Sequence, residues 1–324
     1  MRILITGGAG YIGSVVTPAL IERGHQVDVV DQLWFGNHLP QAVRVQVDDI
    51  ANLGEEDLQG YDQVMFLAGL SNDPMAEFDP ARNFMENAAT PACLAYLSRR
   101  AGVRRFIYAG SCSVYGYTNN DLFDETSPTI SDSPYSISKL QGEFASLQLT
   151  REGFSVIALR QGTVSGFSPR MRLDLIVNTM FKAALSDGRI IVNNPAIWRP
   201  ILAIQDAVLA YVCAVEAPLD QSGVFNVASE NFTIGEVAEQ IRDSMREYLG
   251  LEPEIEVHNL RDYRNYRVSA RRAKDELGFN PTRSIDDIVK ELVDNLDEFR
   301  DFENDRYYNI RVFRSLTDRA GVPV

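Results

Sequence analysis

The amino-acid sequence predicts an α/β fold, a doubly wound parallel sheet with a smaller C-terminal lobe. Short apolar runs alternate with amphipathic stretches through the first half of the chain, and a glycine-rich turn follows the first run. The alternation breaks down after about residue 165, where Arg, Asn and Pro punctuate the chain. Continuously apolar runs are typical of parallel strands covered by helices on both faces. We therefore expect a first domain at 1–165, to which 201–228 returns, and a second lobe at 166–324.

The predicted elements follow one another in the order that such a sheet requires. Strands are predicted at 3–6, 27–30, 43–47, 64–68, 106–109, 156–160 and 224–227. Helices are predicted at 13–23, 81–101 and 135–151, each long enough to cross between parallel strands. Near the C-terminus, Ser284 and Asp287 form a capping-box pattern, and apolar residues at helical spacing from Ile285 to Phe299 predict a further helix with a solvated acidic face.

Composition excludes several classes of protein. The 45 Asp and Glu residues outnumber the 31 Lys and Arg residues and give a net charge of −14, which argues against binding to a nucleic-acid backbone. No window reaches the roughly 18 apolar residues that span a bilayer, and no signal peptide is recognisable, so we expect a cytoplasmic protein without a membrane partner. The cysteines Cys93, Cys112 and Cys213 are expected to be buried thiols, and the three histidines form no metal set.

A glycine-rich turn joins the first predicted strand to the first predicted helix. It reads Thr6-Gly7-Gly8-Ala9-Gly10-Tyr11-Ile12-Gly13. Glycines let the backbone approach a pyrophosphate, and the N-terminus of the helix offers it unpaired N–H groups. Asp31 ends the second predicted strand, where a carboxylate accepts hydrogen bonds from adenosine ribose hydroxyls and repels a 2′-phosphate. Because Gln32 and Leu33 add no positive charge there, the pattern favours NAD over NADP.

A tyrosine and a lysine stand four residues apart in Tyr135-Ser136-Ile137-Ser138-Lys139, which places them on one face of a helix. The chain has 13 tyrosines but only four lysines, and Lys139 is the first lysine in it. A phenol with a pKa near 10 is a poor base at pH 7, but a neighbouring ammonium group stabilises the phenolate. The pair therefore predicts a catalytic base and the residue that activates it.

Together, the TGGAGYIG turn, Asp31 and the YSISK segment resemble the extended branch of the short-chain dehydrogenase/reductase superfamily, the NAD-dependent nucleotide-sugar epimerases, dehydratases and reductases. The resemblance covers residues 1–280 or so and implies a Rossmann-type NAD-binding domain, a substrate-binding lobe and a homodimer formed through the helices at 81–101 and 135–151. It implies a nucleotide-diphosphate sugar as substrate. The cofactor-binding residues that it implies are Gly7, Gly10, Tyr11, Ile12, Gly13, Asp31, Asp49, Ile50, Leu67, Ala68, Gly69, Asn87, Tyr135 and Lys139.

The resemblance also implies a catalytic set and a reaction. Tyr135 would take a proton from a sugar hydroxyl, most often O4, Lys139 would hold the nicotinamide ribose, and Ser111 of the SCSVYG segment would polarise the reacting oxygen. An epimerase that acts through a transient keto-sugar at C4 is the first hypothesis. A nucleotide-sugar 4-dehydrogenase or 4-ketoreductase with net turnover of NAD(P), and a non-catalytic NAD-binding regulator, stay open. A 4,6-dehydratase is less favoured, because Cys112 and Ser113 stand where dehydratases carry an Asp-Glu pair.

An acidic protein that binds a diphosphate must collect positive charge locally, and arginine suits this task because its planar fork engages two phosphate oxygens. By resemblance, Asn178 and Arg199 match diphosphate contacts, and Arg264 lies in a segment that closes over the nucleotide. That segment reads Asn259-x-x-Asp262 where hexose 4-epimerases have an arginine and an aspartate. The other candidate arginines are Arg170, Arg172, Arg261, Arg267, Arg271 and Arg272.

Two segments have no assigned role. Asp73, in the loop after the fourth predicted strand, is interpreted as a cap of the following helix in preference to a group that acts on substrate. The tail at 307–324 extends past the usual end of the family, and packs either on the substrate lobe or across a dimer interface.

Overall fold

The computed structural model describes residues 1–258 and 264–319. Its strands are β1 (Arg2–Thr6), β2 (Gln26–Asp31), β3 (Arg44–Val47), β4 (Gln63–Phe66), β5 (Arg105–Ser111), β6 (Tyr117–Phe123), β7 (Ser155–Gln161), β8 (Thr163–Ser165), β9 (Arg189–Asn193), β10 (Trp198–Ala203), β11 (Gly223–Val227), β12 (Glu230–Thr233), β13 (Glu254–His258) and β14 (Asn265–Val268). Its α-helices are α1 (Gly13–Glu22), α2 (Asp73–Phe78), α3 (Pro80–Phe84), α4 (Thr90–Arg100), α5 (Pro134–Leu147), α6 (Ile176–Asp187), α7 (Ile204–Glu216), α8 (Ile234–Leu249), α9 (Arg271–Leu277), α10 (Ile285–Asp294) and α11 (Asn309–Arg319).

Seven parallel strands form the central sheet in the order β11-β7-β5-β4-β1-β2-β3, which confirms the predicted doubly wound sheet. The inner strands β4, β5 and β7 are almost entirely buried, as their continuous apolar runs predicted. The order of the strands reverses between β1 and β4, which opens a crevice at the carboxyl ends of the strands. Strand β3, predicted at 43–47, forms the edge of the sheet and leaves Val47 64% exposed.

The helix predicted at 81–101 is interrupted. It divides into α3, a π-helical turn at Met85–Ala89, and α4. Pro91 explains the interruption, because proline has no N–H to donate to the carbonyl four residues earlier. That carbonyl belongs to Asn87, and it accepts a hydrogen bond from the Tyr108 hydroxyl at 2.8 Å instead.

The two other long helices end earlier than predicted. Helix α5 ends at Leu147 rather than at residue 151, and the chain continues in tight turns to the Arg151–Phe154 bridge. Helix α10 begins with the predicted Ser284 capping box but ends at Asp294, and Phe299 lies beyond a short 3₁₀ turn. Its acidic face is not wholly solvated, because Glu291 is half-buried and accepts hydrogen bonds from Gln205 and the Phe167 N–H.

The C-terminal lobe has its own core. Helices α6, α8 and α10 pack together over the strand pair β13-β9, with Phe181, Val237 and Leu292 fully buried among them. Strand β11 returns to the central sheet beside β7. The division into a cofactor-binding domain and a substrate-binding lobe stays a prediction.

The described part of the tail packs on the loops at the edge of the crevice. Phe313 of α11 is fully buried and stacks on Trp34 with the ring centroids 5.9 Å apart. Asn309 donates a hydrogen bond to the Ser71 hydroxyl and accepts one from Arg170. Residues 320–324 of the predicted tail lie outside the described residues.

Two other expectations bear on the surface. Cys93 is exposed, so the expectation of three buried thiols was wrong for this residue; Cys112 is buried and Cys213 is partly buried. In the described ranges, no helix combines the length and the apolar character that crossing a membrane requires.

Candidate active site

The crevice at the carboxyl ends of the strands widens into a cleft of about 750 Å³ between the sheet and the C-terminal lobe. The sheet side contributes the glycine turn, the ends of β2 and β4, and the start of α5. The lobe side contributes the segment after β8, the start of α6, and residues of β10 and β14. Asn309 and Ile310 of α11 close one end.

The glycine turn approaches its neighbours too closely for side chains. Gly7 has a φ of +75°, and a Cβ there would lie 2.6 Å from the Ala68 backbone. A Cβ on Gly13 would lie 2.5 Å from the Gly8 carbonyl oxygen. The turn thus brings bare backbone and the N-terminus of the ten-residue helix α1 to the cleft, an arrangement that fits a pyrophosphate.

Asp31 lines the cleft at the end of β2. Its carboxylate accepts hydrogen bonds from the Ala9 N–H at 3.0 Å and the Leu33 N–H at 2.8 Å, which fix the glycine turn against this strand. Burial raises the pKa of Asp31 above the ordinary aspartate value. The position and the fixed orientation suit an acceptor for ribose hydroxyls.

The remaining predicted cofactor residues divide into two groups. Gly10, Tyr11, Ile12, Ile50, Leu67, Ala68 and Gly69 line the cleft. Asp49 instead caps a 3₁₀ turn by accepting from the Ala51 N–H, and Asn87 is fully buried behind the β4 loop, where it donates to the Leu70 carbonyl oxygen at 2.8 Å. These two residues shape the loops of the site from behind its surface.

The three predicted catalytic residues lie together. Ser111 ends β5 and lies close enough to the phenol of Tyr135, the second residue of α5, to lower the pKa of that phenol. Lys139 follows one turn later, and its Nζ donates to the Ala109 carbonyl oxygen at 3.1 Å. All three side chains line the cleft.

The electrostatics of the pair are set by burial. Burial, followed by the charge of Asp73, raises the pKa of the Tyr135 phenol. Burial lowers the pKa of Lys139 to about 8. A cation at Lys139 therefore persists at neutral pH, but with a smaller margin than for a lysine in water.

Cys112 and Ser113 occupy the positions at which dehydratases carry two acidic residues. Cys112 is fully buried, and its Sγ donates to the Arg160 carbonyl oxygen. Burial raises the pKa of this thiol well above the ordinary value. Ser113 lines the cleft and lies 2.9 Å from Ser111, oxygen to oxygen. Neither residue can supply a second acid or base near neutral pH.

The segment after β8 presents two buried arginines to the cleft. Arg170 lies over the Phe35 ring, 3.6 Å from its centroid, and burial followed by the charge of Arg172 lowers the pKa of Arg170 to about 9. Arg172 forms an ion pair with Asp174 at 2.8 Å, and Asp174 also accepts from the Asn72 side chain. Arg170 is thus on the Asp31 side of the cleft, and Arg172 is on the Tyr135 side.

The predicted substrate residues are placed unequally. Arg199 is buried over the Tyr266 ring and lines the cleft, as does Arg264, which forms an ion pair with Asp73 at 2.6 Å. Asn178 does not line the cleft: it is fully buried, and its amide donates to the Arg172 carbonyl and accepts from the Gly166 N–H. Its amide is thus occupied by the protein itself, and the expected diphosphate contact stays a prediction.

Of the remaining candidate arginines, the three that the structure describes do not line the cleft. Arg267 lies over the Trp198 ring, and Arg271 and Arg272 form surface ion pairs with acids one helical turn later. Asn259, Arg261 and Asp262, and with them the departure from the hexose 4-epimerase pattern, lie outside the described residues.

Sequence reasoning misassigned the loop after β4. The helix cap is Asn72, whose side chain accepts from the Met75 N–H, whereas Asp73 faces the cleft. It also missed Asp174, Asn309 and Ile310, which line the cleft from the lobe and from α11. Only Asn72 had a local signal, an Asn directly before Asp-Pro. Among the described residues there is no group of three or more His, Cys, Asp or Glu side chains that could hold a metal ion.

Comparisons with known proteins support the fold and the enzyme family. The chain is 26% identical over 304 residues to the UDP-glucose 4-epimerase of Corynebacterium glutamicum, covering 87% of this chain and 91% of that one. It superposes with a TM-score of 0.80 on UDP-glucose 4-epimerase of Thermotoga maritima with UDP-glucose, at 26% identity over 94% of this chain and all of that one. It superposes equally well on MoeE5 in complex with UDP-glucose and NAD, at 25% identity and the same coverage.

A family model matches residues 3–228, which include the glycine turn, Asp31 and the Tyr135–Lys139 pair. This match covers more than half of the chain and confirms the resemblance drawn from the sequence. The chain belongs to the NAD dependent epimerase/dehydratase family and is an NAD-dependent enzyme of the extended short-chain dehydrogenase/reductase type.

Proposed function

We propose that the protein is a nucleotide-sugar 4-epimerase that acts through a transient 4-keto-sugar, and that UDP-sugars are its substrates. The observation that carries the proposal is the convergence of Ser111, Tyr135 and Lys139 on the cleft that the glycine turn opens, with no further acid–base pair at 112–113. Two of the three proteins compared above are UDP-glucose 4-epimerases, and the third was solved with UDP-glucose and NAD, which supports the choice of substrate class.

In this proposal each catalytic residue has one task. Tyr135 takes the proton of the sugar O4 hydroxyl and returns it after the sugar has turned over. Ser111 donates a hydrogen bond to that oxygen, and the Lys139 cation favours the phenolate. Bound NAD supplies the hydride acceptor and donor. Arg199 lines the opposite wall, where its charge compensates that of a diphosphate.

The experiment that tests this proposal follows cofactor and product together. The purified protein should carry bound NAD and should interconvert UDP-glucose and UDP-galactose, seen by NMR, with no net change of absorbance at 340 nm. If absorbance changes in proportion to product, the protein is instead a 4-dehydrogenase or 4-ketoreductase. If a thermal-shift and NMR screen of UDP-, GDP-, CDP- and dTDP-sugars gives neither binding nor turnover, the regulator hypothesis is favoured.

A homodimer is part of the proposal. Large apolar side chains on α3, the π-helical turn, α4 and α5 are between 41% and 55% exposed, and an apolar surface on adjacent helices is typical of an interface. They are Phe84, Met85, Tyr96, Ile137 and Phe144. In light scattering, Phe144→Glu should give a monomer, whereas Val257→Glu, an equally exposed position on β13 of the lobe, should leave a dimer. A monomeric wild-type protein at micromolar concentration would contradict the dimer.

A further inference from the structure

The loop after β4 carries a carboxylate to which the mechanism above gives no task. Asp73 is the first residue of α2 and lines the cleft. Its Oδ2 accepts a hydrogen bond from Arg264 at 2.6 Å. Its Oδ1 is buried and has no hydrogen-bond partner among the described residues. An ionised oxygen without a partner is costly to bury, so a donor is expected to reach it when the cleft is filled.

The position of Asp73 limits what that donor can be. Asp73 and Tyr135 line the same cleft, and the charge of Asp73 acts on the Tyr135 phenol, so we place this carboxylate near the reacting end of the sugar site. It also acts on Tyr266, next to Arg199. A group that hydrogen-bonds Oδ1 must therefore belong to the sugar, close to the carbon whose hydroxyl meets Tyr135.

Two arginines at this end of the cleft already have carboxylate partners. Arg264 is paired with Asp73, and Arg172 is paired with Asp174. Asp174 is held in turn by the Asn72 side chain, in the same loop as Asp73. A carboxylate on the sugar would have to displace one of these partners and would face the like charge of Asp73.

We propose that Asp73 is a specificity-determining residue, whose Oδ1 accepts a hydrogen bond from a hydroxyl on a carbon next to the reacting C4 or one bond further, at C3 or C6. The site then selects sugars with a neutral hydroxyl there over the corresponding uronic acids. The inference rests on the proposed epimerase function and deepens it by naming the class of sugar.

The central experiment compares Asp73→Asn with Glu77→Gln, which removes the same charge from an exposed position on the same helix, outside the cleft. The substrates are UDP-glucose, its 3-deoxy and 6-deoxy analogues, and UDP-glucuronate. We expect Asp73→Asn to lower kcat/KM for UDP-glucose by about 10- to 100-fold, the usual loss for a hydrogen bond to a charged group. Against one of the two deoxy analogues, the same substitution should cost less than about threefold, because the bond is already absent.

The ratio of kcat/KM for UDP-glucose to kcat/KM for UDP-glucuronate should also fall in Asp73→Asn. In Glu77→Gln this ratio should stay at the wild-type value. If Asp73→Asn lowers kcat/KM equally for all four substrates, or if Glu77→Gln behaves as Asp73→Asn does, the assignment is overturned and Asp73 acts on structure alone. If the wild-type protein turns over none of the four, both this inference and the proposed function fail. Wild-type turnover with an unaltered Asp73→Asn overturns the inference only.

A pH profile gives a readout that a structural role would not change. The carboxylate raises the pKa of Tyr135, so its removal should move the acidic limb of kcat/KM to lower pH in Asp73→Asn but not in Glu77→Gln. A limb that does not move in Asp73→Asn counts against the proposal. The other polar or titratable groups that face this phenol or interact with it are Ser111, Arg172, Tyr266, Tyr108 and Tyr211, with Lys139 on the same helix.

Discussion

On the sheet side of the cleft, the functional groups are backbone atoms and side chains fixed within single segments. On the lobe side they are long charged side chains, and several of these are held by partners far along the chain. Gly7 and Gly13 act by lacking a side chain, and Tyr135 and Lys139 are one helical turn apart. Arg264, in contrast, pairs with Asp73 across 191 positions. A site built from backbone tolerates little change of shape, whereas a site built from ion pairs can be retuned by substitution.

The largest effect is expected in the glycine turn, where the backbone is too closely packed for a side chain. In Gly7→Ala, the new Cβ would overlap the Ala68 backbone at 2.6 Å in addition to the strain of a positive φ. We expect NAD binding to be lost and stability to fall by more than about 4 kcal/mol, measured by calorimetry and denaturant unfolding. Gly24→Ala is the matched control, with a φ of +83° and open space around it, and should lose only about 1–2 kcal/mol. If the two substitutions lowered stability equally, close packing around Gly7 would not be the cause of the loss.

The second prediction separates the catalytic rate from NAD binding on the sheet side of the cleft. Tyr135→Phe removes the base but keeps the ring, so kcat should fall by about 10²- to 10⁴-fold while NAD affinity stays within a few-fold of wild type. Rates from coupled assays and NAD affinity from fluorescence titration would measure the two. Turnover near the wild-type rate would contradict the role of this tyrosine.

The third prediction concerns the end of the cleft that α11 closes. Phe313 is fully buried against Trp34, Phe78 and Ile310, so Phe313→Ala should cost about 3–5 kcal/mol and should speed release of bound NAD. Ser315→Ala, on the exposed face of the same helix, should change neither quantity. If the free energy of unfolding fell by less than about 1 kcal/mol, α11 would contribute little to the stability of the cleft.

The smallest effect is a pH dependence. Lys139 has a pKa of about 8 when folded and an ordinary value of 10.5 when unfolded, so the unfolded chain binds more protons between these values. Wild-type stability should therefore rise with pH across this window, relative to Lys139→Met. Over the same range the cation is lost, and kcat/KM should be about tenfold lower at pH 9 than at pH 7. Thermal unfolding and kcat/KM measured from pH 7 to 10.5 would test the predicted rise in stability and the predicted fall in activity.

The contrast between the two walls also explains how much the sequence could predict. The parallel sheet, the glycine turn and the Tyr135–Lys139 spacing are local patterns, and the structure brings these residues to one cleft. The interruption of the helix at 81–101 was also predictable, because Pro91 has no N–H to form the helical hydrogen bond with the carbonyl four residues earlier.

Long-range pairs left no such signal. Nothing near Asp73 in the sequence indicates Arg264, and nothing near Asn72 indicates Asp174, 102 positions away. Asn178 matched a family motif by its neighbours, but its amide is used by the protein itself. Which polar group faces a ligand depends on tertiary packing, and sequence spacing does not encode it.

The contacts of α11 also bear on the order in which the molecule forms. The Ser71–Asn309 hydrogen bond joins residues 238 positions apart, and α11 packs on α2 from the far end of the chain. Contacts of such sequence separation carry a large loop-closure cost and are expected late in folding. In refolding, the far-ultraviolet signal of the sheet and helices should therefore recover before the capacity to retain NAD. Retention of the cofactor then reports that α11 has packed against α2 and the loop after β4.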